Sequence, residues 1–201
     1  GLYYAPFPFL GLSQKDNFNL YGLNASEIIG GKVRFYQQFV FSAFQIKAMG
    51  MQLGVRLYNL IPNSLLQFEY NKVGAELYAS ENPTMSHTHY NLPLAHPKGQ
   101  GFDELVIRAN ASIKRFYGES KTICYWLKNY KEQSLLPMDM NANSLDDFIL
   151  HQQVEIGYRI NPKINFCFFA RGVYRKSNID ENQMLIHFGL STNLFNSYND
   201  Y

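Results

Sequence analysis

The chain is written in runs of about ten residues in which apolar and polar side chains alternate, and the polar half of each run carries charge in its middle. Residues 32–44 set Val33, Phe35, Phe39 and Phe41 against Arg34, Tyr36, Gln38 and Ser42. Alternation with period two places successive side chains on opposite faces of a strand. The same code recurs over residues 51–58, 65–78, 107–114, 122–130, 153–160, 164–176 and 186–191, and more weakly over 18–29. Soluble strands run to about five or six residues, and an arginine or glutamate in mid-strand is costly in a dry core. These runs therefore predict long strands with one apolar face and one wet face. In residues 65–78 the apolar phase slips from Leu66, Phe68 and Tyr70 to Val73, Ala75 and Leu77, which predicts a β-bulge at Asn71–Lys72.

The connections alternate in length. Gly30–Gly31, residues 61–64, Tyr117–Gly118 and residues 161–163 are short, whereas 79–101, 131–147 and 177–182 are longer and 45–50 is intermediate. Short turns at one end and long loops at the other, joined by long alternating strands, predict an antiparallel transmembrane β-barrel. The soluble alternative is a lipocalin-like or sandwich protein with its faces exchanged. Residues 2–10 are broken by Pro6 and Pro8, so this segment is at best an edge strand or a chain entering a wall.

Composition narrows the function. A net charge of +2 argues against nucleic acid as a partner, and two cysteines are too few for a disulfide framework. Cys124 and Cys167 both fall on the polar face by this parity, with another strand between theirs, so no disulfide is expected. No apolar run is long enough for a membrane helix, and nothing at Gly1 resembles a signal peptide. Aromatic residues make up 16% of the chain and gather near the ends of the strand-like runs. Serine and histidine occur without a triad-like arrangement, so an enzyme is not expected, nor is a cofactor. Asn24 and Asn110 begin glycosylation-like triplets, but both fall within strands.

The longest loop holds the most distinctive stretch, HYNLPLAHPKGQGFDE at residues 89–104. Its two prolines restrict the backbone, and Tyr90 and Phe102 are too large to be left in solvent, so it is expected to be ordered and folded toward the lumen. His87, His89 and His96 suggest a metal site only weakly, because no cysteine or close carboxylate completes a ligand set. His89 and His96 are expected instead to pin the loop by bonding its backbone.

The polar face is basic. Lys32, Arg34, Arg56, Arg108, Lys114, Lys121, Lys128, Arg159, Arg171 and Arg175 outweigh Glu69 and Glu155. One reading is a solvated wall whose charges serve solubility alone. The other is an electropositive interior or rim that attracts acidic glycans, with Arg34, Arg56, Arg108, Lys114, Arg159 and Arg171 as the binding groups.

YQQFVFSAF (36–44), LLQFEYNKV (65–73) and above all residues 89–104 resemble segments of the capsule-assembly outer-membrane proteins of the Wzi type, especially the Bacteroidetes branch that includes the gliding-motility protein RemB. The loop motif of that family is matched at His89, Tyr90, Asn91, Pro93, Leu94, Ala95, His96, Pro97, Gly99, Phe102 and Glu104, while Leu92, Lys98, Gln100 and Gly101 depart from it. The resemblance implies that residues 1–201 are one outer-membrane barrel domain, the C-terminal half of an eighteen-stranded barrel, with an upstream half preceding Gly1. It implies a non-enzymatic role in the bacterial outer membrane, in surface polysaccharide attachment or in adhesion and gliding motility. Outer-membrane lipid, acidic polysaccharide and other outer-membrane, secretion or gliding components are the expected partners. The alternative is a porin-like channel or a subunit of a secretion or transport assembly.

Overall fold

In a computed structural model the chain is all-β over the residues it describes: 20–42, 45–74, 77, 88–89, 92–93, 101–130 and 145–192. The strands are β1 (Leu20–Ile29), β2 (Val33–Ser42), β3 (Gln45–Tyr58), β4 (Ser64–Val73), β5 (Thr88–His89), β6 (Leu92–Pro93), β7 (Phe102–Ile113), β8 (Phe116–Tyr130), β9 (Leu145–Asn161), β10 (Phe166–Ser177) and β11 (Gln183–Ser191). Nine of them form one antiparallel sheet in the order β1-β2-β3-β4-β7-β8-β9-β10-β11, and β5 and β6 form a separate short hairpin. The nine-stranded sheet is open, with β1 and β11 at its edges.

Every main-sheet strand pairs with its neighbour in sequence, which is the meander that the alternating runs predict. The tight turns are built from backbone that few residues tolerate. Gly30 and Gly31 have φ of 58° and 67°, Asn59 and Asn63 of 54° and 59°, and Lys114 and Asn165 of 54° and 50°; glycine and asparagine enter this left-handed region most readily. Ser64 closes the β3–β4 turn, its Oγ donating to the Ile61 carbonyl at 2.6 Å and accepting from the Ile61 N–H at 3.0 Å. The Asn161 side chain accepts from the Lys163 N–H at 3.0 Å, the Asx geometry expected at residues 161–163.

Five boundaries differ from those read in the sequence, and the first is at residues 145–147, read as the end of a long loop but opening β9. Residues 45–50 belong to β3, so only residues 43–44 separate it from β2. Tyr117 and Gly118 lie inside β8, and the chain reverses at Lys114–Arg115 instead. Gly118 signals a turn in the sequence, but its backbone stands in register between Ala111 and Ile156. The β-bulge at Asn71–Lys72 is absent: β4 runs in unbroken register with both neighbours to Val73, and the phase slip marks the end of the strand. Last, Phe102 and Glu104 are strand rather than loop, opening β7 directly across from Val73 and Asn71.

The two faces separate sharply. Ile156 is 64% exposed and Phe188 70%, and Val154, Ile160, Phe168, Ile186 and Leu190 join them on one face. The other face shelters polar side chains: Gln67, Glu104, Asp147, Glu155 and Ser177 are buried there. It also carries a small apolar cluster at the long-loop end, where Phe102, 1% exposed, packs with Leu127 and Ile149 against Val73 and Tyr125. Leu77 is buried beside it over Gly50, where a Cβ would meet Leu77 Cδ2 at 2.8 Å. This cluster turns Ile123 and Leu127 of β8 onto the polar face and places Cys124, two residues from Trp126, on the apolar one. The shared parity of the cysteines is thereby corrected; both are free.

Candidate functional site: a cation row across the polar face

Cross-strand register sorts the polar face into rows. At the long-loop end Val40, Gly50, Val73, Phe102 and Leu127 stand in line, the apolar row that holds the cluster. Next come Gln38, Gln52, Asn71, Glu104 and Tyr125, and after them Tyr36, Gly54, Glu69, Val106 and Ile123. The following row, toward the short turns, reads Arg34, Arg56, Gln67, Arg108, Lys121 and Gln153 across six consecutive strands of the sheet.

Two like-charged pairs therefore face each other directly, Arg34 with Arg56 and Arg108 with Lys121, with one neutral Gln67 between the pairs. Like charges opposed across a ladder oppose folding, so the arrangement holds positive potential that the sheet must support. Among the described residues no carboxylate forms an ion pair with any of the four. The buried Nε atoms of Arg34 and Arg56 also lack a hydrogen-bond partner.

On the turn side Glu119 and Glu155 stand across from each other one row from Lys121, and on the long-loop side the carboxylates are bound by neutral donors. Tyr36 Oη donates to Glu69 Oε2 at 2.5 Å, Gln67 Nε2 donates to the same oxygen at 3.0 Å, and Asn71 Nδ2 donates to Glu69 Oε1 at 2.9 Å. Asn71 Nδ2 also bonds Glu104 Oε2 at 2.7 Å, and Tyr125, directly across from Glu104, hydrogen-bonds it as well. This network fixes a polar wall one and two rows from the cations. Glu69, Asn71 and Glu104 of the wall, with Arg56, Gln67, Arg108 and Lys121 of the row, line a hollow of about 610 Å³ that reaches from β2 to β8, so the sheet curves around its polar face.

The six cations named from the sequence divide. Arg34, Arg56 and Arg108 share the row, and Lys121, on the basic face but outside that set, completes it. Arg171 is instead committed to Glu155, with Nε and Nη2 each 2.6 Å from Oε2, and Tyr117 Oη donates to the other carboxylate oxygen at 3.0 Å. Arg159 lies over the Tyr117 ring at 5.2 Å, and Lys114 sits exposed in the β7–β8 turn. What sequence reading misses is the collinearity, because only the register of four separate pairings brings these residues into line.

Of the loop motif, His89 and Pro93 lie in the β5–β6 hairpin, where His89 pairs with Leu92 and Thr88 with Pro93. Tyr90, Asn91, His96 and Pro97 fall outside the described residues, as do His87, residues 2–10 and the side chains of His89 and Lys128, so the expected pinning and inward folding fall there too. Phe102 anchors the apolar cluster, and Glu104 joins the carboxylate network. Among the described residues no cluster of His, Cys, Asp and Glu has the make-up of a metal site.

The apolar face has its own order. The rings of Trp126 and Phe148 meet at a tilt with centroids 5.6 Å apart toward the long loops, and those of Phe116 and Tyr158 likewise at 5.0 Å toward the turns. The two pairs stand ten residues apart along both β8 and β9. Between them the polar groups satisfy one another, Thr122 Oγ1 donating to Gln152 Oε1 and Gln152 Nε2 to Ser120 Oγ at 3.1 Å. No family model, curated protein or solved structure matches the chain.

Proposed function

We propose that this chain forms part of an outer-membrane β-barrel, with its apolar face toward lipid and its polar face lining a wet interior that engages acidic surface polysaccharide without catalysis. The observation that carries the reading is the banded apolar face. Ten residues at about 3.3 Å each, tilted by roughly 40°, project to about 25 Å, the height of the apolar band that aromatic girdles flank in such barrels. A soluble single-layer sheet would leave Ile156, Phe168, Ile186 and Phe188 in water without a partner layer, at a cost of about 25 cal/mol for each Å² of apolar surface. The resemblance of residues 89–104 to the Wzi-type motif supports the surface-polysaccharide role, and the basic polar face supports an acidic ligand.

Single-cysteine labelling tests the membrane half of the proposal. In a bilayer, Ile156→Cys should resist a water-soluble maleimide and react after transfer to denaturant, whereas Gln153→Cys should react in both. Fast reaction at Ile156→Cys in intact vesicles would overturn the barrel. The hollow on the polar face favours a second reading, a porin-like channel or assembly subunit. Planar-bilayer recording separates the two: a steady single-channel current would put the channel ahead.

A further inference from the structure

The cation row has a direction, and that direction constrains its ligand. Arg34, Arg56, Arg108 and Lys121 lie on β2, β3, β7 and β8, so the line they form crosses the strands. Four strand-to-strand steps of about 4.8 Å give a span of about 19 Å. The charge is grouped, with a pair at each end and the amide of Gln67 between. A small anion would neutralise one pair and leave the other opposed without a counter-charge, since among the described residues Arg34 meets only the Ser26 hydroxyl and Arg56 only tyrosines. One linear molecule carrying anionic groups along its length can neutralise both. In the rows on the long-loop side Tyr36, Gln52 and Asn71 are taken up by Glu69 and Glu104, so the row itself offers the anion contacts, and its three arginine forks match carboxylates.

We propose that Arg34, Arg56, Arg108 and Lys121 form a track for a linear, carboxylate-bearing polysaccharide that runs across the strands and is held at two points, one at each cation pair. The proposal deepens the polysaccharide reading above and rests on it, since the polar face must meet water for a glycan to reach the row. Two-point attachment converts the second contact into an intramolecular one, so affinity rises in a step once the ligand is long enough to bridge both pairs.

A length series of oligogalacturonides, titrated against the whole protein in detergent at low and at moderate salt, reads this directly. The parent should show a step of about tenfold or more in affinity at the length that first spans about 19 Å, and the step should shrink as salt rises. Arg34→Gln and Arg108→Gln should each abolish it, Arg108→Lys should reduce it without loss of charge, and Lys163→Gln, a turn variant with the same charge change, should retain it. Affinity that climbs smoothly with length, or falls equally for Lys163→Gln and Arg108→Gln, would overturn the track. Equal or tighter binding of inorganic polyphosphate of matched length would overturn the carboxylate glycan as its ligand. Labelling at Ile156→Cys and Gln153→Cys decides the barrel separately, so a chain that inserts yet shows no length step fails the track alone.

Discussion

Three aromatic rings on the polar face stand in register with glycine. Tyr36 stands across from Gly54, Tyr117 from Gly157 and Phe169 from Gly189. A Cβ at Gly54 would lie 2.1 Å from Tyr36 Cζ, and one at Gly157 would lie 2.3 Å from Tyr117 Cζ, so each ring lies flat on bare backbone. The ring covers the surface that glycine leaves open, a known way to steady a curved sheet. An arginine covers each ring, Arg56 that of Tyr36 at 5.1 Å, Arg159 that of Tyr117 at 5.2 Å and Arg171 that of Phe169 at 5.3 Å. The tyrosine hydroxyls then reach Glu69 and Glu155. Gly157→Ala should destabilise the fold by about 1–3 kcal/mol by forcing the ring away. In the double variant with Tyr117→Ala the losses should be less than additive, because the clash has already been removed. Denaturant titrations of the four members of that cycle measure the coupling, and strict additivity would show that the ring does not rest on the glycine.

The hairpins depend on their turns. Between Ile113 and Phe116 the chain reverses through Lys114, a residue with a β-carbon at φ 54°. Two-residue hairpin loops favour glycine at such a position. Lys114→Gly should therefore stabilise the β7–β8 hairpin by about 0.5–1 kcal/mol, net of the glycine's greater freedom when unfolded. A lowered denaturation midpoint would show that Lys114 makes a contact worth more than the backbone strain. At the opposite end β7 takes its first residues from the distinctive loop motif. Proline and glycine in residues 89–101 read as loop, and Phe102 and Glu104 inherit that reading from their neighbours. Their strand state depends on Val73 and Asn71, which arrive from about thirty positions earlier in the chain.

In the whole molecule the count of strands has a consequence. Nine antiparallel strands leave β1 and β11 running in the same direction, so they cannot close on each other in the antiparallel sense. An antiparallel barrel built on this sheet needs an odd number of further strands between them, in keeping with the even totals of single-chain bacterial barrels. Cysteine pairs placed in β1 and β11, such as Leu23→Cys with Phe188→Cys or Ile186→Cys, should therefore fail to cross-link under mild oxidation in the membrane-inserted protein. Efficient cross-linking within one chain would show that the nine strands close on themselves through a parallel seam.

The sequence by itself determined the architecture of the sheet: strand number and order, the apolar face of β9, β10 and β11, and most of the turns. Period-two alternation and left-handed turn residues are local properties, written within a few positions of where they act. It also marked the basic face and three of the four cations in the row. Only the tertiary structure decided which basic residues stand together, because alignment across six strands is set by register, and register follows from turn lengths and pairings summed along the whole meander. The same holds for the apolar cluster inside the polar face. Val73, Phe102, Leu127 and Ile149 come from four strands; Val73 reads as a phase slip, Phe102 as loop and Leu127 as part of its run's regular apolar face, and only pairing makes them neighbours on the polar face. Arg171 shows the converse: it stands on the same basic face, yet Glu155, brought in by an adjacent strand, neutralises it, whereas among the described residues no carboxylate pairs with the cations of the row.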